Sequence, residues 1–438
     1  MAKPSGSYDL TLVLSVLGLV MVGLVMVFSA SFYQGLDGYE DAYYFITRQV
    51  MWVGLGLVAM VIAARIPYQF WETWSVLLLG VALLMLVAVV VMGSDLFGAK
   101  RTFFGGSVQP SEAAKVIVII YISAWLTSKG ERIKDLNVGL IPFGVLMGVI
   151  AALVVAQPNI STAILIVLTA SVLFFIAGAE PRQILLIAFL AGITLWVVIT
   201  QSDYAGNRID QYLASTENPM NSPSWQIRNT TVAVVSGGPL GAGIGAGEMK
   251  AGWIPLSWSD NIFAVVGEEM GLLGSLLVVI LFALFAYRGF QIALRARDNF
   301  GMLMATGITS MVIFQAVLNL AVILALVPPT GVTLPFISYG GSSMMVLLAS
   351  VGLLLSVSKY GTTAQASTAK LARRSPMGES TYARLDFGWR DRWSRLSSSG
   401  SGRSTGRAKP RTPKKPATKS TSRTTRTSRT TRKTRSDK

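Results

Sequence analysis

Three carboxylates, Asp260, Glu268 and Glu269, stand at the head of a long apolar run that begins SWSDNIFAVVGEEMGLLG at Ser257. Charge in or at the mouth of a membrane helix is costly, so it marks a pathway or a reaction site. The chain has no histidine and no cysteine. Acid–base work therefore falls to Asp, Glu, Lys or Tyr, and there is no thiolate nucleophile, disulfide framework or thiolate metal site. Any metal would be a hard cation held by oxygen, such as magnesium or manganese. Asp260 reads in two ways: as an acidic residue that opens a helix and suits its dipole, or as a base at a membrane surface. Gly267, Gly271 and Gly274 on the same stretch would let a second helix come close.

Other polar residues interrupt apolar surroundings. Glu112 and Lys115 are three apart just after Gln109-Pro110, a helix-start signal, and could form a self-contained pair. Gln315 and Asn319 are four apart on one helix face, a spacing that serves interhelical hydrogen bonding. The segment PPTGVTLPFISYGGSS, from Pro328 to Ser343, carries no charge. Such backbone is tolerated at membrane depth only when it is buried in protein or lines a cavity. Its Ser338, Tyr339, Ser342 and Ser343 present hydroxyls, as a ligand-facing loop would.

The elements that must position these residues are membrane helices. The chain has 438 residues, is 52% hydrophobic and only 14% charged, which is the composition of a polytopic membrane protein. The fold class expected is all-α with ten transmembrane helices, at about 10–30, 47–64, 72–92, 113–127, 138–156, 160–178, 184–200, 261–287, 303–326 and 341–358. The first run has no cleavage pattern behind it. Loops after even spans carry Arg65, then Lys129, Arg132 and Lys134, then Arg182, then Arg288, Arg295 and Arg297. Loops after odd spans carry Asp37, Glu40 and Asp41, and later Asp203, Asp210, Glu217 and Glu248. The positive-inside rule then places both termini in the cytoplasm. Lys100 and Arg101 lie against that bias, on the outer side, where they could bind an anion.

The expected organisation is a cytoplasmic N-terminus (1–9), a membrane domain (10–360) and a basic cytoplasmic tail (361–438). A long extracellular loop at 201–260 joins helices seven and eight, and loops of that size tend to be functional. Its run Gly241, Gly243, Gly245, Gly247 fits neither a P-loop nor a dinucleotide fingerprint. Of the net charge of +16, about +15 lies after Trp389, so the membrane domain is nearly neutral. The tail's Arg-Thr-Thr repeats lack apolar residues to bury, so it is expected to be disordered. It could hold to anionic lipids, to nucleic acid or to a cytoplasmic division protein, and Phe387-Gly388-Trp389 is its one aromatic cluster.

Four motifs, GAKR (98–101), SVQPSEAAK (107–115), SDNIFAVVGEEMGLLG (259–274) and TGVTLPFISYGGSS (330–343), together resemble the SEDS family of FtsW, RodA and SpoVE proteins. The resemblance covers about residues 10–360, and the threonine of GVTLP is similar to the FtsW branch. It implies a peptidoglycan glycosyltransferase of the bacterial cytoplasmic membrane, at the division septum. Such a protein polymerises lipid II at the outer face beside a class B penicillin-binding transpeptidase and other divisome membrane proteins. The resemblance makes Asp260 the essential acid, puts Arg101, Glu112 and Lys115 around an outer cavity, and makes Lys250 the loop lysine before the acid. Glu268, Gln315, Asn319, Ser338, Tyr339, Ser342 and Ser343 complete the substrate-facing candidates. The chain departs from the family pattern at Asn261, at Gln157-Pro158-Asn159, at Thr102 and at Trp225-Gln226.

In the implied reaction a sugar hydroxyl of lipid II attacks the anomeric carbon of a glycan held on polyprenyl pyrophosphate. Asp260 would take or orient the hydroxyl proton. Arg101, Lys115 and Lys250 would receive the pyrophosphates, with a divalent cation, magnesium or manganese, as an optional aid. Direct attack inverts the anomeric centre, and no nucleotide cofactor is expected. A flippase for lipid-linked precursors, an elongation polymerase of the RodA kind and a non-catalytic scaffold remain the alternatives.

Overall fold

The computed structural model describes residues 7–96, 99–102, 109–201, 203–215, 220 and 222–361; for residues 94–96, 99–101, 203–205 and 361 it describes the backbone alone. The basic tail lies outside the described residues, as do Phe387-Gly388-Trp389 within it. The helices run α1 (Leu10–Tyr39), α2 (Tyr44–Arg65), α3 (Gln69–Met92), α4 (Pro110–Lys129), α5 (Ile141–Val155), α6 (Ile160–Ile176), α7 (Pro181–Gln201), α8 (Asp203–Leu213), α9 (Trp225–Ser236), α10 (Ile262–Leu294), α11 (Asn299–Ile323) and α12 (Gly341–Gly361). One antiparallel ribbon, β1 (Ser94–Leu96) with β2 (Ala99–Thr102), departs from the helical expectation between α3 and α4. In it Asp95 pairs with Lys100 and Leu96 with Ala99.

Each of the ten apolar runs lies on a helix, but α1 continues to Tyr39 and α10 to Leu294, so Asp37 and Arg288, expected in loops, are helical. Among the described residues nine helical segments are long and apolar enough to cross a membrane, and α6, with 17 residues, is shorter. The protein is a multi-pass membrane protein. Helices α11 and α12 are the most enclosed, with 67% of their most apolar window buried, whereas α7 buries 6% and lies at the rim. α11 packs against α4, α6, α10 and α12, so its polar face is internal. Two loop carboxylates hold helix starts. Asp9 caps α1 by accepting the Leu12 N–H at 3.0 Å and pairs with Arg288 at 2.7 Å. Asp298 caps α11 through the Gly301 N–H at 2.8 Å and accepts the Tyr68 hydroxyl at 2.6 Å. Burial and that hydrogen bond push the Tyr68 phenol well above its ordinary pKa.

The stretch 201–260 is not one open loop. It contains α8 and α9, and after α9 the chain folds back onto α10. α10 breaks at Gly271, whose φ of 62° and ψ of −159° are not helical. The break is mended by the glycine-rich run. Ala242 and Gly243 donate their N–H groups to the carbonyls of Glu268 and Glu269 at 2.9 and 3.0 Å. Leu272 and Leu273 in turn donate to Gly238 and Pro239 at 2.9 and 3.2 Å. Two carbonyls and two N–H groups beside the break thus find partners, as irregular backbone inside a span requires. Leu240 and Leu272, 74% and 57% exposed, show that this junction turns apolar side chains outward.

Candidate active site

Two polar clusters flank the first half of α10. The first begins at Asp260, half-buried just before the helix. Asn261, not Asp260, holds the N-cap position, and its side chain makes no capping bond. The Asn261 amide instead donates to the Pro255 carbonyl at 2.6 Å and accepts from Gln226 at 2.9 Å. Residues 258–260 are bound edge-on to the loop between α11 and α12. Tyr339 N–H donates to the Trp258 carbonyl at 2.9 Å, Ser338 Oγ to the Ser259 carbonyl at 2.6 Å, and Asn319 Nδ2 to the Asp260 carbonyl at 2.7 Å.

Gln315 and Asn319, one turn apart on α11, do more than join helices. Asn319 Nδ2 also reaches the Val332 carbonyl at 2.7 Å, and Gln315 Nε2 reaches the Thr333 carbonyl at 3.0 Å. Two amides on one helix face thus grip two consecutive carbonyls of the proline-rich loop. Its Gly331 lies against the acid: a Cβ there would stand 3.8 Å from Asp260 Oδ2. Gln315 Oε1 accepts from Lys115 Nζ at 2.7 Å, Lys115 pairs with Glu112 at 3.0 Å, and Glu112 accepts from Ser343 Oγ at 2.6 Å. Ser342 Oγ accepts the Gln109 N–H at 3.0 Å, which ties α12 to the start of α4. A continuous polar chain therefore runs from Asp260 through Asn319, the loop, Gln315 and Lys115 to Glu112.

Tyr339 packs edge-on against Phe45, with ring centroids 5.2 Å apart. Burial raises its phenol pKa, against the pull of nearby Arg48, so it stays a neutral hydroxyl. Arg101 lies on β2, and its side chain is outside the described residues, as are Ser107 and Val108 of the motif before Gln109.

The second cluster holds Lys250, Glu268 and Glu269, and it is built elsewhere. Lys250 Nζ meets Glu269 Oε1 at 2.5 Å, Ser29 Oγ at 2.7 Å and the Gly245 carbonyl at 2.8 Å. Glu268 accepts the N–H groups of Glu248 and Met249 at 2.7 and 3.0 Å. Glu269 lies nine residues past Asp260, about 13 Å along a helix. Thus Asp260, Glu112, Lys115, Gln315, Asn319, Ser338, Tyr339, Ser342 and Ser343 fall in one network, while Lys250 and Glu268 fall in the other. Sequence reasoning missed two members. Gln49 of α2 donates to the Ser338 carbonyl at 3.2 Å, and a lone amide inside an apolar span was a usable signal for it. Ser29 of α1 had none, because its partner is 240 residues away.

The arrangement offers a half-buried carboxylate with rigidly held main chain on two sides, as a base or hydroxyl-orienting group requires. Among the described residues no three acidic side chains gather to hold a metal ion. A cation at Asp260 would therefore draw its other ligands from substrate phosphates, carbonyls and water. Lys115 is buried in a chain of partners, so Lys115→Ala should cost stability as well as function. It leaves Glu112 charged and unpaired, an expected loss of about 3–5 kcal/mol. Thermal unfolding in detergent should show a lower melting point than for Lys115→Met combined with Glu112→Gln, which removes both charges.

Comparison with known proteins agrees with this architecture. Residues 10–363 match the FtsW/RodA/SpoVE family, described as cell cycle protein. A probable peptidoglycan glycosyltransferase FtsW of Geobacter metallireducens is 38% identical over 355 residues, 80% of this chain and 94% of that one. Stage V sporulation protein E of Bacillus subtilis is 36% identical over 366 residues, 82% of this chain and 99% of that one. Among solved structures, a chain from work titled structural coordination of polymerization and crosslinking by a peptidoglycan synthase complex superposes with a TM-score of 0.65. It shares 26% identity and covers 80% of this chain and 98% of its own. The Thermus thermophilus rod shape determining protein RodA gives 0.60 at 26% identity, covering 81% and 98%. With the match spanning all of the helices and the network just described, the chain belongs to the FtsW/RodA/SpoVE family.

Proposed function

We propose that this chain polymerises lipid II into glycan strands at the outer face of the bacterial cytoplasmic membrane, in cell division. Membership of its family makes it a peptidoglycan glycosyltransferase; the substrate, the face and the cellular process are the proposal. The observation that carries it is Asp260, half-buried at the head of a span and bound through its own carbonyl to the Asn319–Gln315–Lys115–Glu112 chain. In this reading Asp260 receives the proton of the acceptor sugar hydroxyl as its oxygen bonds to the donor's anomeric carbon, and polyprenyl pyrophosphate leaves. Arg101 and Lys115 are the cations proposed to receive the leaving charge, with Ser338, Tyr339, Ser342 and Ser343 as further substrate contacts, and magnesium or manganese would add to that positive charge if bound. Both termini lie in the cytoplasm, ten helices span the membrane, and the tail at 361–438 rests on anionic lipids.

A class B penicillin-binding transpeptidase is the proposed partner, supported by the synthase complex in which a structural neighbour was solved. Division rather than elongation is supported by relatives named FtsW, and localisation of a fluorescent fusion to the septum would test it. The direct test gives purified protein lipid II in detergent and in proteoliposomes, with and without such a transpeptidase, with and without a chelator. Glycan polymer is the expected product. No polymer under any condition, together with movement of lipid II across the bilayer, would replace this reading by a flippase.

A further inference from the structure

Lys250 has no proton to spare for a substrate. An ammonium has three N–H donors, and all three are used, on Glu269, Ser29 and the Gly245 carbonyl. The lysine and glutamate side chains are 2% and 0% exposed. Glu269 also accepts the Gly245 N–H at 3.0 Å, and Glu268 binds the two amides just before Lys250. The run 245–250 is therefore fastened to both carboxylates of α10 and to the Ser29 hydroxyl of α1. Seven residues on, Ser257 donates to the carbonyl of Ala30, the neighbour of Ser29, at 3.0 Å. The next three residues lead to Asp260.

We infer that Lys250 is a positioning residue: its buried ion pair with Glu269 clamps the segment 237–261 between α1 and α10 and so sets where Asp260 stands. Asp260 is held from two sides. Asn319 of α11 and Ser338 and Tyr339 of the α11–α12 loop bind its stretch from one side, and the Lys250 clamp holds the stretch from behind. The inference rests on the proposed role of Asp260, and the lysine acts on the reaction only through that residue's position.

Removing one member of a buried pair strands a charge, whereas replacing both with neutral side chains of similar size is often tolerated. Lys250→Met is expected to lower polymerisation at least about tenfold, in kcat more than in the KM for lipid II. Adding Glu269→Gln to it is expected to restore activity to within about threefold of wild type. A readout independent of catalysis is available because the chain has no cysteine. Ser257 is 0% exposed, so Ser257→Cys supplies one protected thiol. Maleimide labelling should be slow in that background, at least about tenfold faster with Lys250→Met, and slow again in the paired variant.

The inference is overturned if the paired variant is as inactive as Lys250→Met, with raised KM and a thiol protected in both, because the lysine then acts on substrate. It is equally overturned if Lys250→Met leaves labelling and kcat unchanged. If no protein, wild type included, polymerises lipid II while the labelling pattern holds, the clamp stands and the proposed role of Asp260 fails.

Discussion

Asp260→Asn is expected to lower lipid II polymerisation by about 10²–10⁴-fold, the usual contribution of a positioned acid–base group. The loss should fall on kcat, with KM for lipid II little changed. The substitution keeps the shape of the side chain and removes its charge. The bond from Asn319 goes to the main-chain carbonyl of this residue, so that anchor survives the change. Melting temperature and the elution of the purified protein should therefore match wild type. Polymer formation at the wild-type rate by Asp260→Asn would remove this carboxylate as the base and turn attention to the main chain around it.

Gly271→Ala is expected to produce a large loss of stability. The left-handed φ of 62° with ψ of −159° is a region that only glycine enters freely, at a cost to other residues of about 1–3 kcal/mol. A Cβ would also collide with the Gly241 nitrogen and lie 2.7 Å from the Leu240 carbonyl carbon. Overpacking of that kind adds about 1–3 kcal/mol. The neighbouring chain is backbone already hydrogen-bonded to α10 and cannot swing aside. Gly241→Ala meets the same obstacle from the other side, with a φ of 83° and the Glu269 carbonyl in the way. Gly80→Ala is the control: it sits inside α3, nothing lies within 4 Å of its added Cβ, and alanine is the better helix former by about 0.5–1 kcal/mol. Thermal unfolding of the three variants in one detergent separates these expectations. A melting point for Gly271→Ala equal to that of Gly80→Ala would show that the break in α10 does not exist.

The helices and their order were legible because each apolar run is long and bounded by polar residues, and burial in lipid needs nothing more specific. α10 shows the limit. Its start could be read, but it runs to Leu294, past the expected end at 287, and its break at Gly271 was not legible because a glycine inside an apolar run is equally consistent with close helix packing. The stretch 201–260 reads as a loop since α9 and the glycine run are short and mixed in polarity. Its backbone partners belong to α10, and no periodicity reports a hydrogen bond made to another element.

The polar residues divide in the same way. Glu112–Lys115 and Gln315–Asn319 carry helical spacing, so their pairing on one face could be read from the chain. That the second pair also grips the carbonyls of Val332 and Thr333 could not. Lys250 and Asp260 are ten residues apart in the chain and look like members of one site. The fold sends the lysine to Glu269 and Ser29 and leaves the acid with Asn319. By itself the sequence determined a helical membrane protein, its family and the acid on which its chemistry is proposed to turn, because composition, run length and short motifs are local properties. Tertiary structure decided that Lys250 spends its charge on Glu269 and not beside Asp260, because the chain must fold back on itself to bring that pair together and the hydroxyl that completes it, Ser29, lies 221 residues from the lysine.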